Sequence, residues 1–150
     1  ADKPKYKTKL GREVYGGGGI SPDVHVAPTE HASATIRLIG HPKRLTFNWA
    51  TEYAKGKKSN WLSARVFNEE FQFNDDLFED FMSFVTEQQL IFDLEELKKD
   101  DSYIKSILKA EIAGAIWGKP AYYQLFVSND PQVALALSRF DDAAAFLLAH

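Results

Sequence analysis

A change in the spacing of apolar residues near residue 28 does most to limit what this chain can fold into. Before it, apolar and polar residues alternate, as in Val24-His25-Val26, and four glycines follow one another at residues 16–19. This pattern predicts extended chain with a glycine hinge. After it, glycine is sparse and apolar residues recur every three or four positions, which predicts helices. We therefore predict a mainly α protein, with a multi-helix domain over residues 29–150 and an extended, glycine-rich β-type arm over residues 1–28.

The composition fits one folded domain and excludes several classes of protein. The 150 residues are 45% hydrophobic and 26% charged, which supplies a core and is too little charge for disorder. The chain has no cysteine, so disulfides, thiolate nucleophiles and cysteine zinc sites are excluded. No apolar run approaches the roughly 18 residues of a membrane span, and the N-terminus has no apolar signal-peptide centre. We expect no membrane span, and any export signal is removed or lies upstream.

The small net charge of −3 hides an acidic block in the middle of the chain. Residues 66–101 carry 2 Lys/Arg against 12 Asp/Glu, whereas residues 1–65 carry 12 against 5. The basic residues of the arm alternate along one short segment and do not cover a folded face: Lys3, Lys5, Lys7, Lys9 and Arg12. This pattern argues against a nucleic-acid partner. A solvated arm or strand edge explains it more simply.

Capping and breaking residues set the expected helix boundaries. The predicted helices cover about residues 30–39, 43–55, 74–88, 93–117, with a bend near 100–102, and 121–128. Asn74 and Asp93 are the expected N-caps of the third and fourth helices, and Glu96 is the capping partner of Asp93. Gly118 is expected to stop the fourth helix in a left-handed conformation.

Two segments complete this assignment. Residues 60–73 show no clean period, so we expect an irregular or partly extended connection in which Phe67, Phe71 and Phe73 could form a short strand. Asp130-Pro131 predicts the start of a last helix. Its expected core face comprises Val133, Leu137, Phe140, Ala144 and Leu148.

The four glycines and the polar residues that follow them do not form a recognisable catalytic site. A phosphate loop needs Gly-Lys-Ser/Thr or a helix directly after the glycines, and neither is present. Ser21, Asp23 and His25 are the residue types of a serine triad, but alternate residues on a strand point the same way and cannot form its relay. Chance proximity is the favoured interpretation.

The histidines and clustered carboxylates do not predict a metal or acid/base site. His25, His31 and His41, with Asp23 and Glu30, lack the spacing of a helical zinc pair, so we expect no metal site. The carboxylates near residue 75 are better explained by helix-dipole stabilisation and solvation than by catalysis: Asp75, Asp76, Glu79 and Asp80.

Glu111 falls on the apolar stripe of its helix. A partly buried Glu needs a partner, and an ion pair with Arg37 or Arg44 is expected in preference to catalysis. Trp49, Trp61 and Trp117 are expected to be core anchors and not a ligand cage.

A longer motif covers the arm. Residues 6–23 read Tyr-Lys-Thr-Lys-Leu-Gly-Arg-Glu-Val-Tyr-Gly-Gly-Gly-Gly-Ile-Ser-Pro-Asp. This run closely resembles the segment Lys-Thr-x-x-Gly-Arg-x-Val-Tyr-x-Gly-Gly-Gly-Ile-x-Pro-Asp of bacterial C-terminal-processing (tail-specific) serine peptidases. In that family the segment follows the strand bearing the catalytic lysine. The helical half adds supporting matches: Phe47-x-Trp49-Ala50-x-x-Tyr53 is similar to the family's Phe-x-Phe-Ala-x-x-Tyr, and Lys109 to Ala113, Trp117-Gly118, Asp130 to Val133 and Ala136-Leu137 are similar to its C-terminal tail.

The resemblance implies a parent enzyme that cleaves proteins near their C-termini with a Ser/Lys dyad, in which a neutral lysine is the base for the serine. The dyad and the PDZ domain that engages substrates belong upstream. No residue here matches the motifs around the dyad, so the resemblance supplies no catalytic, cofactor-binding or metal residue and implies an inactive isolated chain. It also implies a periplasmic or cell-envelope location.

Two interpretations of the whole chain therefore remain. In the first, residues 1–28 are an edge of the missing protease core, and residues 29–150 are a helical domain with a structural, assembly or substrate-access role. Its partners are the upstream protease and PDZ domains, protein substrates of the parent and, through unpaired strand edges, a second copy of the chain. The alternative is a stand-alone helical protein-interaction module that presents the acidic helix at residues 74–88.

Overall fold

The computed structural model describes residues 4–9, 11, 13–17, 19, 22, 24–57 and 60–148, with side chains described as far as residue 145. The protein is mainly helical over these residues, as the spacing of apolar residues predicts. The helices are α1 Ser33–Ile39, α2 Leu45–Ala54, α3 Ala64–Glu70, α4 Asp75–Glu87, α5 Leu94–Lys99, α6 Asp101–Trp117, α7 Lys119–Ser128, α8 Pro131–Ser138 and α9 Phe140–Leu148.

The arm forms a hairpin of two short antiparallel strands, β1 Lys5–Lys7 and β2 Glu13–Tyr15. Tyr6 pairs with Val14 at its centre. The chain reverses near Gly11, whose φ of 78° is in the region that favours glycine and whose N–H donates to the Thr8 carbonyl at 2.9 Å. The extended character of the arm is as predicted, but the reversal precedes the four glycines.

The core is centred on α6, which packs against α2 and α7. Ile104, Leu108 and Ile112 of α6 are fully buried. Trp49 of α2 is 4% exposed and is a core anchor as predicted, while Trp61 and Trp117 pack against the same core with partial exposure. The core therefore lies wholly within the helical part of the chain.

Gly114 allows α6 and α7 to approach closely. A Cβ at this position would lie 3.0 Å from the Cβ of Tyr122, which is closer than most Cβ contacts in proteins and would require Tyr122 to move by a few tenths of an ångström. The helix stops at Gly118 as predicted, but with φ 88° and ψ 179° this residue is extended at positive φ and not in the predicted left-handed helical conformation. The next helix begins at Lys119 with Pro120 in its first turn, slightly before the predicted start.

Most predicted helix starts are confirmed by their capping hydrogen bonds. Asn74 accepts from the Leu77 N–H at 3.0 Å, and Asp130 accepts from the Gln132 N–H at 2.7 Å. Asp93 accepts from Glu95 and Glu96 and begins α5, which ends where the bend was expected, at Asp100.

The prediction of an irregular or extended connection at residues 60–73 is wrong. Ser63 accepts a hydrogen bond from the Val66 N–H at 3.2 Å and begins α3. Phe67 lies in this helix with no exposed surface, and Phe71 follows it at the helix end with 8% exposure. The segment is helical because the two rings, four residues apart, lie on one face and stack with centroids 4.6 Å apart.

The predicted core face of the last helix is also wrong. The single predicted helix is two helices, because α8 ends at Ser138 and α9 begins at Phe140. Leu137 is 61% exposed and Phe140 is 66% exposed, and no residue of α8 is buried. Ala144 is exposed as well, and the side chain of Leu148 lies outside the described residues. Val133 is half-buried, so only the start of the predicted face is partly covered.

Candidate functional site

The hairpin that carries the long motif is almost entirely exposed. Tyr6 and Tyr15 are 58% and 54% exposed, and Val14 is half-buried. Tyr6 lies over Gly16, where a Cβ would overlap its ring, and Lys5 pairs with Glu13 at 3.4 Å. Among the described residues no third strand pairs with either outer edge. The first part of the motif, at residues 6–7 and 13–15, therefore lies on a two-stranded ribbon whose outer edges are unpaired among the described residues.

A set of polar contacts, here called the joint, fixes the chain where the arm meets the helical body. The Ala32 N–H donates to Asp100 Oδ2 at 2.7 Å, and His31 Nδ1 lies 3.2 Å from Asp100 Oδ1. The His31 ring stacks on Tyr103, with centroids 3.7 Å apart and planes 11° apart. The joint thus ties residues 31 and 32 to the α5/α6 corner.

Glu96 extends the joint to the first turn of α1. Its Oε2 accepts from the Ala34 N–H at 3.1 Å and from the Ser33 hydroxyl at 3.2 Å. Ala32 stands at the N-cap position of α1 and has no side chain that could cap it. Two carboxylates more than sixty residues away in sequence, Glu96 and Asp100, therefore take the place of a local N-cap. Asp93 caps α5 as predicted, but Glu96 reaches α1 and does not complete a capping pair.

The electrostatics of the joint favour ionised Asp100. Burial raises the pKa of this carboxyl, but its favourable interactions with the Ala32 amide, the Thr35 side chain and His31 outweigh that rise. The pKa of Asp100 therefore lies below its ordinary value of 3.8. A lowered pKa stabilises the fold at pH above the unfolded value, and this contribution is lost as the pH falls through the folded value.

Asp100→Asn tests this contribution. The variant keeps an acceptor for Ala32 but loses the charge, so its free energy of unfolding at pH 7 should be about 1 kcal/mol lower than that of the wild type. The difference should shrink as the pH falls below 4. Urea denaturation across this range measures it, with Glu79→Gln as control, because Glu79 is exposed and lies beyond the first turn of α4. An undiminished difference at pH 2 would contradict the assignment.

A cavity of about 390 Å³ lies beside the joint. His31, Tyr103 and Ser106 line it, together with residues 27–29 and the start of α8. The Ser106 hydroxyl donates to the Tyr103 carbonyl at 2.7 Å, and within the described residues no hydroxyl is hydrogen-bonded to the His31 ring. The histidine and the aspartate form a pair, but the arrangement supplies no activated nucleophile.

The other sequence candidates do not come together. Ser21 and Asp23 lie outside the described residues, and His25 is exposed. His41 Nδ1 accepts from the Lys43 N–H at 3.2 Å and so has a different partner from His31, which contacts Asp100. In the part of the chain that the structure describes, no three His, Asp or Glu side chains are grouped as metal ligands.

The acidic helix α4 is partly used within the molecule. Asp75 pairs with Lys105 at 2.6 Å, and Asp80 Oδ2 accepts from the Trp49 indole N–H at 2.9 Å. All four carboxylates are exposed, as expected for a solvated face. Two of them, Asp75 and Asp80, also contact α6 and α2 from this face.

Lys109 is a structural residue that sequence reasoning missed. Its ammonium donates to the carbonyls of Asn68 at 2.8 Å and Phe71 at 2.9 Å, at the C-terminal end of α3. Burial lowers the pKa of Lys109. Its position at the C-terminal end of the α3 dipole favours its charge. This role could not be predicted from the sequence, because α3 itself was not predicted.

Part of the helical body matches a known protein family. The sequence model of a family of unknown function (DUF8443) matches residues 42–118, which is just over half of the chain. The chain belongs to this family. The DUF8443 segment runs from just before α2 to the end of α6 and contains the carboxylates of the joint. The hairpin lies outside it. No curated protein and no solved structure matches the chain.

The DUF8443 segment and its neighbours give no sign of membrane insertion. Within the described ranges, no helix combines the length and the hydropathy that a membrane-spanning segment requires.

Proposed function

We propose that this DUF8443 chain is the C-terminal helical region of a serine endopeptidase that cleaves proteins near their C-termini. In this proposal the arm is an edge of the protease core, and the Ser/Lys dyad and PDZ domain lie upstream in the same polypeptide. The parent acts in the periplasm or cell envelope. The observation that carries the proposal is the peptidase-like motif of residues 6–23, whose described first part lies on an exposed two-stranded ribbon.

The two-stranded ribbon is expected to have little stability by itself. A two-stranded hairpin is marginally stable in water and gains stability from further strands or a covering layer. Here the exposed rings of Tyr6 and Tyr15 and the unpaired strand edges leave apolar surface and backbone polar groups without cover among the described residues. A larger sheet, such as the protease core that the motif implies, would cover the apolar surface and pair the strand edges.

The joint supports a structural role for the helical body. Glu96 and Asp100 hold the backbone at residues 32 and 34, and the His31 ring is stacked, so the arm leaves the helices from a fixed point. A fixed exit lets the helical body orient itself against the protease core. Such a body can shape access of protein substrates or contribute to assembly of the parent.

The parent polypeptide provides the test. Its gene should encode the serine and lysine motifs and a PDZ domain upstream of Ala1, and the purified parent should cleave a tailed protein substrate. Replacing the upstream serine by alanine should abolish cleavage, and residues 1–150 alone should not cleave. An upstream sequence without these motifs would refute the proposal, as would cleavage that survives loss of the serine.

A stand-alone interaction module with an acidic face is the competing proposal. Its support is the exposure of Asp76 and Glu79 on α4. Because Asp75 and Asp80 are engaged by Lys105 and Trp49, the acidic surface is smaller than the sequence suggests. The upstream gene sequence separates the two proposals.

A further inference from the structure

A second cavity, of about 330 Å³, lies on the helical body away from the joint. It is formed where the start of α2 meets α6 and the start of α7, and it is called here the Glu111 cavity. Three charged side chains and three aromatic rings line it: Arg44, Glu111, Lys119, Phe47, Tyr122 and Tyr123. Its volume is at the lower end of the range of about 300–1,000 Å³ for small-molecule sites.

The two cations of the Glu111 cavity have no anionic partner in contact. Over the described ranges, neither Arg44 nor Lys119 forms an ion pair or a side-chain hydrogen bond. Each lies near an aromatic ring instead: the Arg44 guanidinium carbon is 3.9 Å from the Phe47 centroid, and Lys119 Nζ is 5.8 Å from the Tyr123 centroid. Both residues are exposed, so their N–H donors face solvent at the rim of the cavity and can reach a ligand there.

Arg44 is held in place before any ligand arrives. Its backbone has φ 49° and ψ 53°, in the left-handed region that a residue other than glycine seldom adopts. Its N–H donates to the His41 carbonyl at 2.8 Å, and its own carbonyl accepts from Asn48 at 2.9 Å. A guanidinium stacked on a ring presents its edge outward, and that edge matches the two oxygens of a carboxylate.

Glu111 is the unpartnered anion of the same cavity. The expected ion pair with Arg37 or Arg44 is not formed as a direct contact, although Arg44 is near enough for its charge to act on the carboxyl. Burial raises the pKa of Glu111, and the charge of Arg44 opposes the rise. Glu111 is half-buried, and among the described residues its carboxyl forms no direct ion pair or side-chain hydrogen bond. A ligand ammonium beside it would offset the burial that disfavours the charged form of the carboxyl.

From this arrangement we infer that the Glu111 cavity binds a zwitterionic ligand of the α-amino acid type. The ligand carboxylate would bind Arg44 and Lys119, its ammonium would bind Glu111, and an aromatic or large apolar side chain would pack on the tyrosine rings. A simple anion would leave Glu111 unpaired and repelled, and a simple cation would leave Arg44 and Lys119 unpaired. Only a ligand with both charges satisfies all three groups. The inference is independent of the proposed function.

The probe is L-phenylalanine, titrated into the full chain and followed by the amide resonances of residues 111–123. Saturable shifts are expected for L-phenylalanine. N-acetyl-L-phenylalanine lacks the ammonium and L-phenylalaninamide lacks the carboxylate, so each should bind about tenfold more weakly or worse. Inorganic phosphate should not compete. This comparison uses the wild-type protein and does not depend on the folding of a variant.

Variants then assign the binding groups. Glu111→Gln and Arg44→Gln should each weaken binding about tenfold, whereas Glu79→Gln and Arg65→Gln, two exposed residues remote from the cavity, should not change it. Equal binding of L-phenylalanine and either analogue would overturn the inference. It would also be overturned by competition from phosphate, which would indicate an anion site only, or by the absence of saturable shifts.

Discussion

Phe67→Ala should lower the free energy of unfolding by about 3–5 kcal/mol, the range for removing a fully buried aromatic side chain. Phe67 has no exposed surface. Its ring lies 4.6 Å from Phe71, 4.9 Å from Trp61 and 5.6 Å from Trp117, measured between centroids. The substitution would leave a cavity between α3 and the end of α6. Urea denaturation followed by far-UV circular dichroism measures the change.

Phe140→Ala is the matched control. It removes the same side chain from a position that is 66% exposed, so the change should be within about 0.5 kcal/mol. A large loss at Phe140 would show that α9 packs on the core in solution. A small loss at Phe67 would show that α3 is not part of the cooperative fold.

Lys109→Met should lower the free energy of unfolding by about 2–3 kcal/mol. The substitution keeps an apolar chain of similar length but removes two charge-assisted hydrogen bonds to the last carbonyls of α3. These carbonyls have no intrahelical donor, so without Lys109 they lose these hydrogen bonds and the packing of α3 against α6 is weakened. Chemical denaturation measures it.

Lys98→Met is the control for Lys109. Lys98 pairs with Glu95 on the surface, where the two side chains are 67% and 80% exposed, so its removal should cost less than about 0.5 kcal/mol. Equal losses at the two positions would mean that Lys109 contributes no more than an ordinary surface ion pair. The contrast therefore separates a structural lysine from a solvated one.

Local signals explain which parts of the fold could be predicted from the sequence. Asn74, Asp93 and Asp130 begin helices because each side chain bonds an amide two or three positions along, so the information lies within one turn. The amphipathic spacing of α4 likewise identifies Phe81 and Val85 as buried. These predictions need no knowledge of the rest of the chain.

The errors arise where the deciding contact is distant in sequence. The last helix has the spacing of a core helix, yet its apolar residues stay exposed because a pattern shows which face is apolar and not what covers it. The joint gives a second example. The sequence predicts that Glu96 pairs with Asp93, three residues away, but Glu96 instead accepts from the N–H of Ala34 in α1, sixty-two residues away. Glu111 was recognised as unusual from its stripe, but its missing partner and its cavity required the structure.

Hydrogen exchange of the hairpin in the parent polypeptide tests the central claim most directly. If the ribbon is an edge of a protease core, the amides of residues 5–7 and 13–15 should exchange rapidly in residues 1–150 alone and slowly in the parent, where neighbouring strands cover them. The helical amides of α6 should be slow in both and serve as the internal reference. Rapid exchange of the hairpin amides in both proteins would contradict the assignment of this chain to the edge of a peptidase core.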